Sequence, residues 1–455
     1  MTVAEALLHR DTEATNCEVT PDAATHAGDP FAFSIARILL VAALIGAPWV
    51  FGSVDSWAWM SLGLTACLVL FLWAVGSVQQ QMLKIFWTPL YIPLALFLVL
   101  GLVQYGARLA LDRWETRTAL VLLSANLAFF FVSVQLFGSA SAETRRRFGI
   151  VVLLFAGVLG LFSILQFASG TQKIYWTFDS DGNFFGPYGN PDHYAGLLEM
   201  LIPVAALSIA GQRKFAATLA LPILAVTIAI ASLLLSGSRS GLLALSAEIV
   251  IAVALGRWHA RATQRAERPA LVVIGVTVII IILSAVLLFS WVGTSWITKR
   301  LGAVASPGDA WAEWSGFRKS VALDSLRMLR DHPVFGIGLG NFETAYPQYQ
   351  NFPTDLRVDY AHNDYAEAVA ETGLAGTTLI FTALALFFHL SFRNWGRRLN
   401  SGDSWIAMGA AVGCCGLLVH SFFDFNLHIP ANAAWFAVLA GIATVVGQPV
   451  GATAS

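Results

Sequence analysis

Apolar runs near the ~20 residues needed to cross a bilayer recur along the chain. They fall at about 33–52, 57–76, 87–106, 118–137, 148–168, 193–210, 215–235, 241–256, 270–292, 366–390, 404–423 and 429–447. Polar residues gather in short breaks between them and in one long stretch, 293–361. The pattern predicts an all-α, polytopic transmembrane helical bundle of about 12 spans with one long external loop. The run 241–256 is the shortest. Within the long stretch, Trp311, Trp314, Phe317, Val321, Leu326 and Leu329 recur at roughly helical spacing between 310 and 331. They predict an amphipathic helix that lies on the membrane surface or caps a cavity. Asp331-His332-Pro333 ends it, and Gly336, Gly338 and Gly340 predict a flexible turn.

Basic residues in short loops set the orientation. Lys84, Arg145–Arg147, Arg213 with Lys214, Arg257 to Arg268, and Arg393 with Arg397 and Arg398 occupy alternate loops, which assigns those loops to the cytoplasm. Arg108, Arg113 and Arg117 in an intervening loop weaken the contrast. The expected division is a disordered cytoplasmic tail at 1–32, nine spans in 33–292, a periplasmic loop at 293–361, three spans in 362–447 and a cytoplasmic tail at 448–455. The start of the chain has neither the basic segment nor the apolar segment of a cleavable signal, so the first helix reads as an uncleaved anchor.

Composition agrees with this. The chain of 455 residues is 57% hydrophobic and 12% charged, with a mean hydropathy of +0.67. One soluble core does not bury that much apolar surface, because cores stop growing at roughly 250–300 residues. A net charge of -1 argues against a nucleic-acid partner. Cys17, Cys67, Cys414 and Cys415 have no metal-ligand or disulfide-framework spacing.

Several polar groups interrupt this apolar background. Arg239 lies in Ser236-Gly237-Ser238-Arg239-Ser240-Gly241, between two apolar runs. An Arg at helix-centre depth costs at least ~2.5 kcal/mol, so Arg239 either faces a cavity and an anion or snorkels to headgroups. Arg318 sits on the predicted loop helix near Lys319, Arg327 and Arg330, any of which can be merely solvated. Arg suits phosphate through its planar fork. Tyr360-Ala361-His362-Asn363-Asp364-Tyr365 precedes an apolar helix, where Asn363 or Asp364 is a candidate N-cap. His362 is either structural or a general base. Asn190, His193, Asp424 and His428 lie in two smaller external groups, where turn chemistry explains most residues. The intramembrane Glu199 needs a partner or a proton, and Arg239 is one candidate.

At these motifs the sequence resembles the O-antigen ligase family, which also contains O-antigen and exopolysaccharide polymerases. The likeness rests on Gly-Asn-Pro-Asp-His-Tyr-Ala-Gly at 189–196, Ser-Gly-Ser-Arg-Ser-Gly at 236–241 and Arg318 followed by His-Pro-Val-Phe-Gly-Ile-Gly-Leu-Gly-Asn-Phe at 332–342. Ala-His-Asn-Asp-Tyr at 361–365 and Asp-Phe-Asn-Leu-His-Ile-Pro at 424–430 extend it. The resemblance implies an inverting glycosyltransferase of the inner membrane that needs no cofactor and no metal. It implies an undecaprenyl-pyrophosphate-linked glycan as donor and, as acceptor, lipid A-core for a ligase or a second lipid-linked glycan for a polymerase. Arg239 and Arg318 match the positions that hold the pyrophosphate, and His362 matches the catalytic histidine. Asn190, His193, Glu199, Asn363, Asp364, Asp424 and His428 are accessory candidates. Two rival readings remain: a small-anion, bicarbonate-like transporter and a non-catalytic scaffold. The absence of repeats and the gathering of polar motifs on one side speak against the transporter.

Overall fold

The computed structural model describes residues 30–81, 83–180, 183–210, 219–262, 309–352, 357–397 and 404–446. Its helices are α1 Phe31–Trp49, α2 Ser56–Gln79, α3 Tyr91–Gly106, α4 Arg113–Gly138, α5 Ala142–Ala168, α6 Pro191–Ala210 and α7 Ala220–Ser236. They continue as α8 Arg239–Ala262, α9 Asp309–Asp331, the short α10 Phe342–Ala345, α11 Asp364–Arg397, α12 Ser404–His420 and α13 Pro430–Val445. A small antiparallel hairpin, β1 Lys173–Ile174 and β2 Phe178–Asp179, lies between α5 and α6.

Every expected span coincides with a helix except 270–292, which lies outside the described residues, as do the N-terminal tail and the loop segment 293–308. Among the described residues, 6 helices are long and apolar enough to cross a membrane: α1, α2, α4, α5, α8 and α11. α3, α7, α12 and α13 are apolar but shorter. The run expected to be shortest, 241–256, belongs to the 24-residue α8, because the helix starts at Arg239. Outward-facing Leu64, Phe71, Ile92, Leu96, Leu154 and Phe381 leave the bundle rim apolar, as a lipid-facing surface requires. The protein is an all-α, polytopic integral membrane protein.

α12 and α13 form the buried centre, with almost every side chain enclosed. Glycines bring α12 close to α6. A Cβ at Gly409 would lie 2.7 Å from Val204 Cα, and one at Gly413 would lie 2.7 Å from the Met200 carbonyl oxygen. This Gly-xxx-Gly spacing lets two backbones meet where lipid supplies no hydrophobic drive. It also sets Glu199 of α6 in register with His420 of α12, which matters for the site. At the opposite end, two buried arginines close the C-terminus of α4. Arg37 Nε donates to Leu136 O (3.1 Å), and Arg145 Nη1 donates to Phe137 O (3.0 Å) and Ala140 O (2.6 Å). Cations belong at such carbonyl-rich ends.

The predicted α9 forms over the expected range and ends at Asp331. Its buried stripe differs from the expected one: Val321, Asp324, Ser325 and Met328 are enclosed, whereas Leu326 faces outward at 54% exposure. The polar Asp324 is satisfied there by Arg327 (2.8 Å), Asn351 Nδ2 (2.8 Å) and the Tyr346 hydroxyl (3.1 Å). That network favours turning this face inward.

The glycine segment after α9 is not a flexible turn. α11 breaks at Gly373 (φ 60°, ψ -162°), and residues 333–338 thread into the gap. Ile337 N–H donates to Ala370 O and Gly338 N–H to Glu371 O, while Leu374 and Ala375 N–H donate to Pro333 O and Val334 O. Gln104 of α3 clamps the same segment, donating to Phe335 O (2.6 Å) and Glu371 O (2.8 Å) and accepting from Leu339 N (3.2 Å). Irregular backbone at this depth is tolerated because protein groups satisfy it. Gly336 has φ 69°, and a Cβ there would lie 2.3 Å from Glu371 C. Gly336→Ala is expected to lose ~1–3 kcal/mol from the strained backbone alone, with the clash added. A melting temperature within about a degree of wild type in detergent would contradict this fit.

Candidate functional site

Helix ends and loops bring the polar motifs to one end of the bundle. Asn190 Oδ1 accepts from Asp192 N (2.9 Å) and so turns the chain into α6. At the junction of α7 and α8, Gly237 takes the left-handed conformation (φ 73°), and Ser238 Oγ caps α8 by accepting from Gly241 N (3.0 Å). Arg239 is therefore the first residue of α8, a terminus where backbone N–H groups favour an anion. Ser240 Oγ, next to it, lies 3.4 Å from Asp192 Oδ1.

Arg318 reaches the same place from α9. Its Nη1 donates to the Phe423 carbonyl, and Nη2 lies 3.9 Å from Asp192 Oδ2. Burial lowers its pKa, and Asp424 and Asp192 pull it back up. The other basic residues of α9 go elsewhere. Lys319 is exposed, Arg327 holds Asp324, and Arg330 lies 3.9 Å from Asp331 in solvent. Asp192 thus links the segment carrying Arg239 to Arg318.

Asp424 is the centre of the cluster and is fully enclosed. Its Oδ1 lies 3.6 Å from His362 Nδ1, and its Oδ2 lies 3.4 Å from His193 Nε2, 4.0 Å from His420 Nε2 and 3.4 Å from Asn426 Nδ2. Burial alone would raise this carboxyl. The contact with His362 and the charges of His193, His420 and Arg318 outweigh it and hold Asp424 at about 2.

His362 adopts φ 49°, a left-handed conformation uncommon for a residue with a Cβ. The loop around it is held firmly. Asn363 Oδ1 accepts from Tyr365 N and Ala366 N (both 3.0 Å), which makes Asn363 the N-cap of α11. Ala361 N donates to Glu367 (2.8 Å). Tyr360 stacks on Phe425 at 4.1 Å, and the His362 ring lies edge-on to the same phenyl at 5.1 Å. Such strain persists only where the surroundings over-determine it, and it clusters at functional sites.

The remaining candidates separate by environment. Asp364 is consumed by structure: it accepts from Ser421 Oγ (2.7 Å) and Leu427 N (3.3 Å) and lies 3.1 Å from His428 Nδ1. His428 sits between Asp364 and Glu367, with Nε2 3.1 Å from Glu367 Oε1. Desolvation of the ring would lower its pKa, but those two carboxylates raise it well above the usual histidine range, even though the residue's outer edge is exposed. A histidine held protonated is a poor base. Glu199 pairs with His420, whose Nδ1 lies 2.8 and 3.1 Å from the two carboxylate oxygens; Arg239 is not needed for this. His420 and the central role of Asp424 are what sequence reasoning missed. The only available signal was the i, i+4 spacing of His420 and Asp424.

Residues 224–381 match the family model described as O-antigen ligase. That segment is similar to the O-antigen ligase family. No curated protein matches the chain. The matched segment takes in Arg239, Arg318, His362, Asn363 and Asp364. Asn190, His193, Glu199, Asp424 and His428 fall outside it and join it through the fold. The match takes in the motifs at 236–241, 332–342 and 361–365.

Proposed function

We propose that the protein transfers a glycan from an undecaprenyl-pyrophosphate donor to an acceptor hydroxyl, as an O-antigen ligase. The observation that carries this reading is the meeting of Arg318, reached from α9, and His362, reached from the start of α11, around Asp424 at one bundle end. Arg318 and the N-terminus of α8 with Arg239 offer positive charge to a pyrophosphate, which competes with Asp192 for the Arg318 guanidinium. That charge stabilises the departing diphosphate. His362, backed by the Asp424 carboxylate, removes the acceptor proton as the hydroxyl attacks the anomeric carbon, with inversion there. The loop pattern of basic residues supports an outward-facing position for this end.

The test is purified protein in proteoliposomes with a polyprenyl-pyrophosphate oligosaccharide and a lipid A-core acceptor. Glycosylated lipid A-core with release of polyprenyl pyrophosphate is expected. Extension of one lipid-linked glycan by another would make it a polymerase, and anion flux without transfer would make it a transporter. Arginines rather than a carboxylate cage face the donor, so transfer is expected to survive exhaustive EDTA treatment. Activity lost to chelator and restored by magnesium would reverse that reading.

A further inference from the structure

Glu199 and His420 lie beneath the site, away from donor and acceptor, and the mechanism above does not use them. Both are fully enclosed. They meet because the glycines of α12 draw it onto α6. His420 Nδ1 faces Glu199 (2.8 Å), and its Nε2 faces Asp424 Oδ2 (4.0 Å). A neutral imidazole has one N–H and would aim a lone pair at one of these carboxylates. An imidazolium presents N–H to both, and a buried carboxylate without such a partner is costly.

We propose that Glu199 and His420 form a positioning couple: Glu199 holds His420 charged, and His420 offsets part of the Asp424 charge felt by His362. This rests on His362 being the acceptor-side base. Other charged groups face the same centre. Asp192 and His193 come from α6 and Arg318 from α9, Arg239 opens α8 beside Ser240, which meets Asp192, and Asp364, Glu367 and His428 lie behind Phe425. Glu248 of α8, enclosed beside Gly416 of α12, is within electrostatic reach of Glu199. Arg318 and His420 set two positive charges against the three negative ones of Asp192, Glu199 and Asp424. Removing the His420 charge leaves Asp424 to attract a proton onto His362 more strongly. His362 then becomes available as a base only at higher pH.

The experiment is the pH profile of glycan transfer by purified His420→Gln, Glu199→Gln, Glu199→Asp and the double variant Glu199→Gln/His420→Gln. The double variant replaces the ion pair by two neutral amides of similar size and guards against misfolding. The acidic limb is expected to move up by about half to one pH unit in His420→Gln, roughly a three- to tenfold loss of rate below the limb, and by less in the double variant, which also removes the Glu199 charge. Glu199→Gln should move it the same way by less, and Glu199→Asp should keep the wild-type position. The donor KM should stay unchanged throughout. A limb at the wild-type pH in both His420→Gln and the double variant, with rates reduced equally at every pH, would overturn the couple. The base assignment fails separately if His362→Gln retains wild-type transfer.

Discussion

Arg318→Ala is expected to abolish glycan transfer, with a loss of at least about a hundredfold. A charge-assisted contact is worth ~1.5–3 kcal/mol, and an enclosed site that stabilises developing charge gains more from it. Arg318 is largely withdrawn from solvent and held by the Phe423 carbonyl, so no neighbouring side chain on α9 can take its place. Arg318→Lys should keep a little activity, because a point charge cannot reproduce the planar fork. Arg327→Ala and Arg330→Ala should leave transfer within a few-fold of wild type, since both point away. Arg239→Ala should match Arg318→Ala. Ordinary transfer by the Arg318→Ala protein at matched levels would remove this residue from the donor site.

His362→Ala and His362→Gln are expected to bind donor almost normally and to turn over about 10²–10⁴-fold more slowly, the usual contribution of a positioned base. Donor affinity measured by calorimetry and rate measured by product formation separate the two effects. Asp364→Asn should be milder. Asp364 holds Ser421, Leu427 and His428 in place, and its loss loosens the loop without removing the base. Near wild-type turnover in His362→Gln together with a dead Asp364→Asn would transfer the role to Asp364. Weak donor binding with normal turnover would place His362 among the pyrophosphate ligands.

The bundle was legible because hydropathy is a local signal, and each described span reproduces an apolar run. So were α9 and the cap at Asn363, both written in short-range spacing. The inward face of α9 was not. Asp324 and Met328 turn in because of Asn351 and Tyr346, whose positions hydropathy does not encode. The site was legible as residue types, but its centre was not. Asp424 collects histidines from α6, from the loop before α11 and from α12. His420 read only as part of the external group that joins the last two spans, and its pairing with Glu199 needed α6. A motif of two residues four apart carries little weight unless the helix opposite is known.

The break in α11 bears on how the protein is made. A helix leaving the translocon usually carries all its backbone bonding with it, whereas α11 reaches the bilayer with four main-chain groups around Gly373 that pair with residues 333–338, one of them also held by Gln104. Those residues precede α11 in the chain, so they are already synthesised when it inserts. A nascent chain in which the segment fails to seat presents unpaired main-chain groups in hydrocarbon. Insertion of α11 and seating of residues 333–338 are therefore one event.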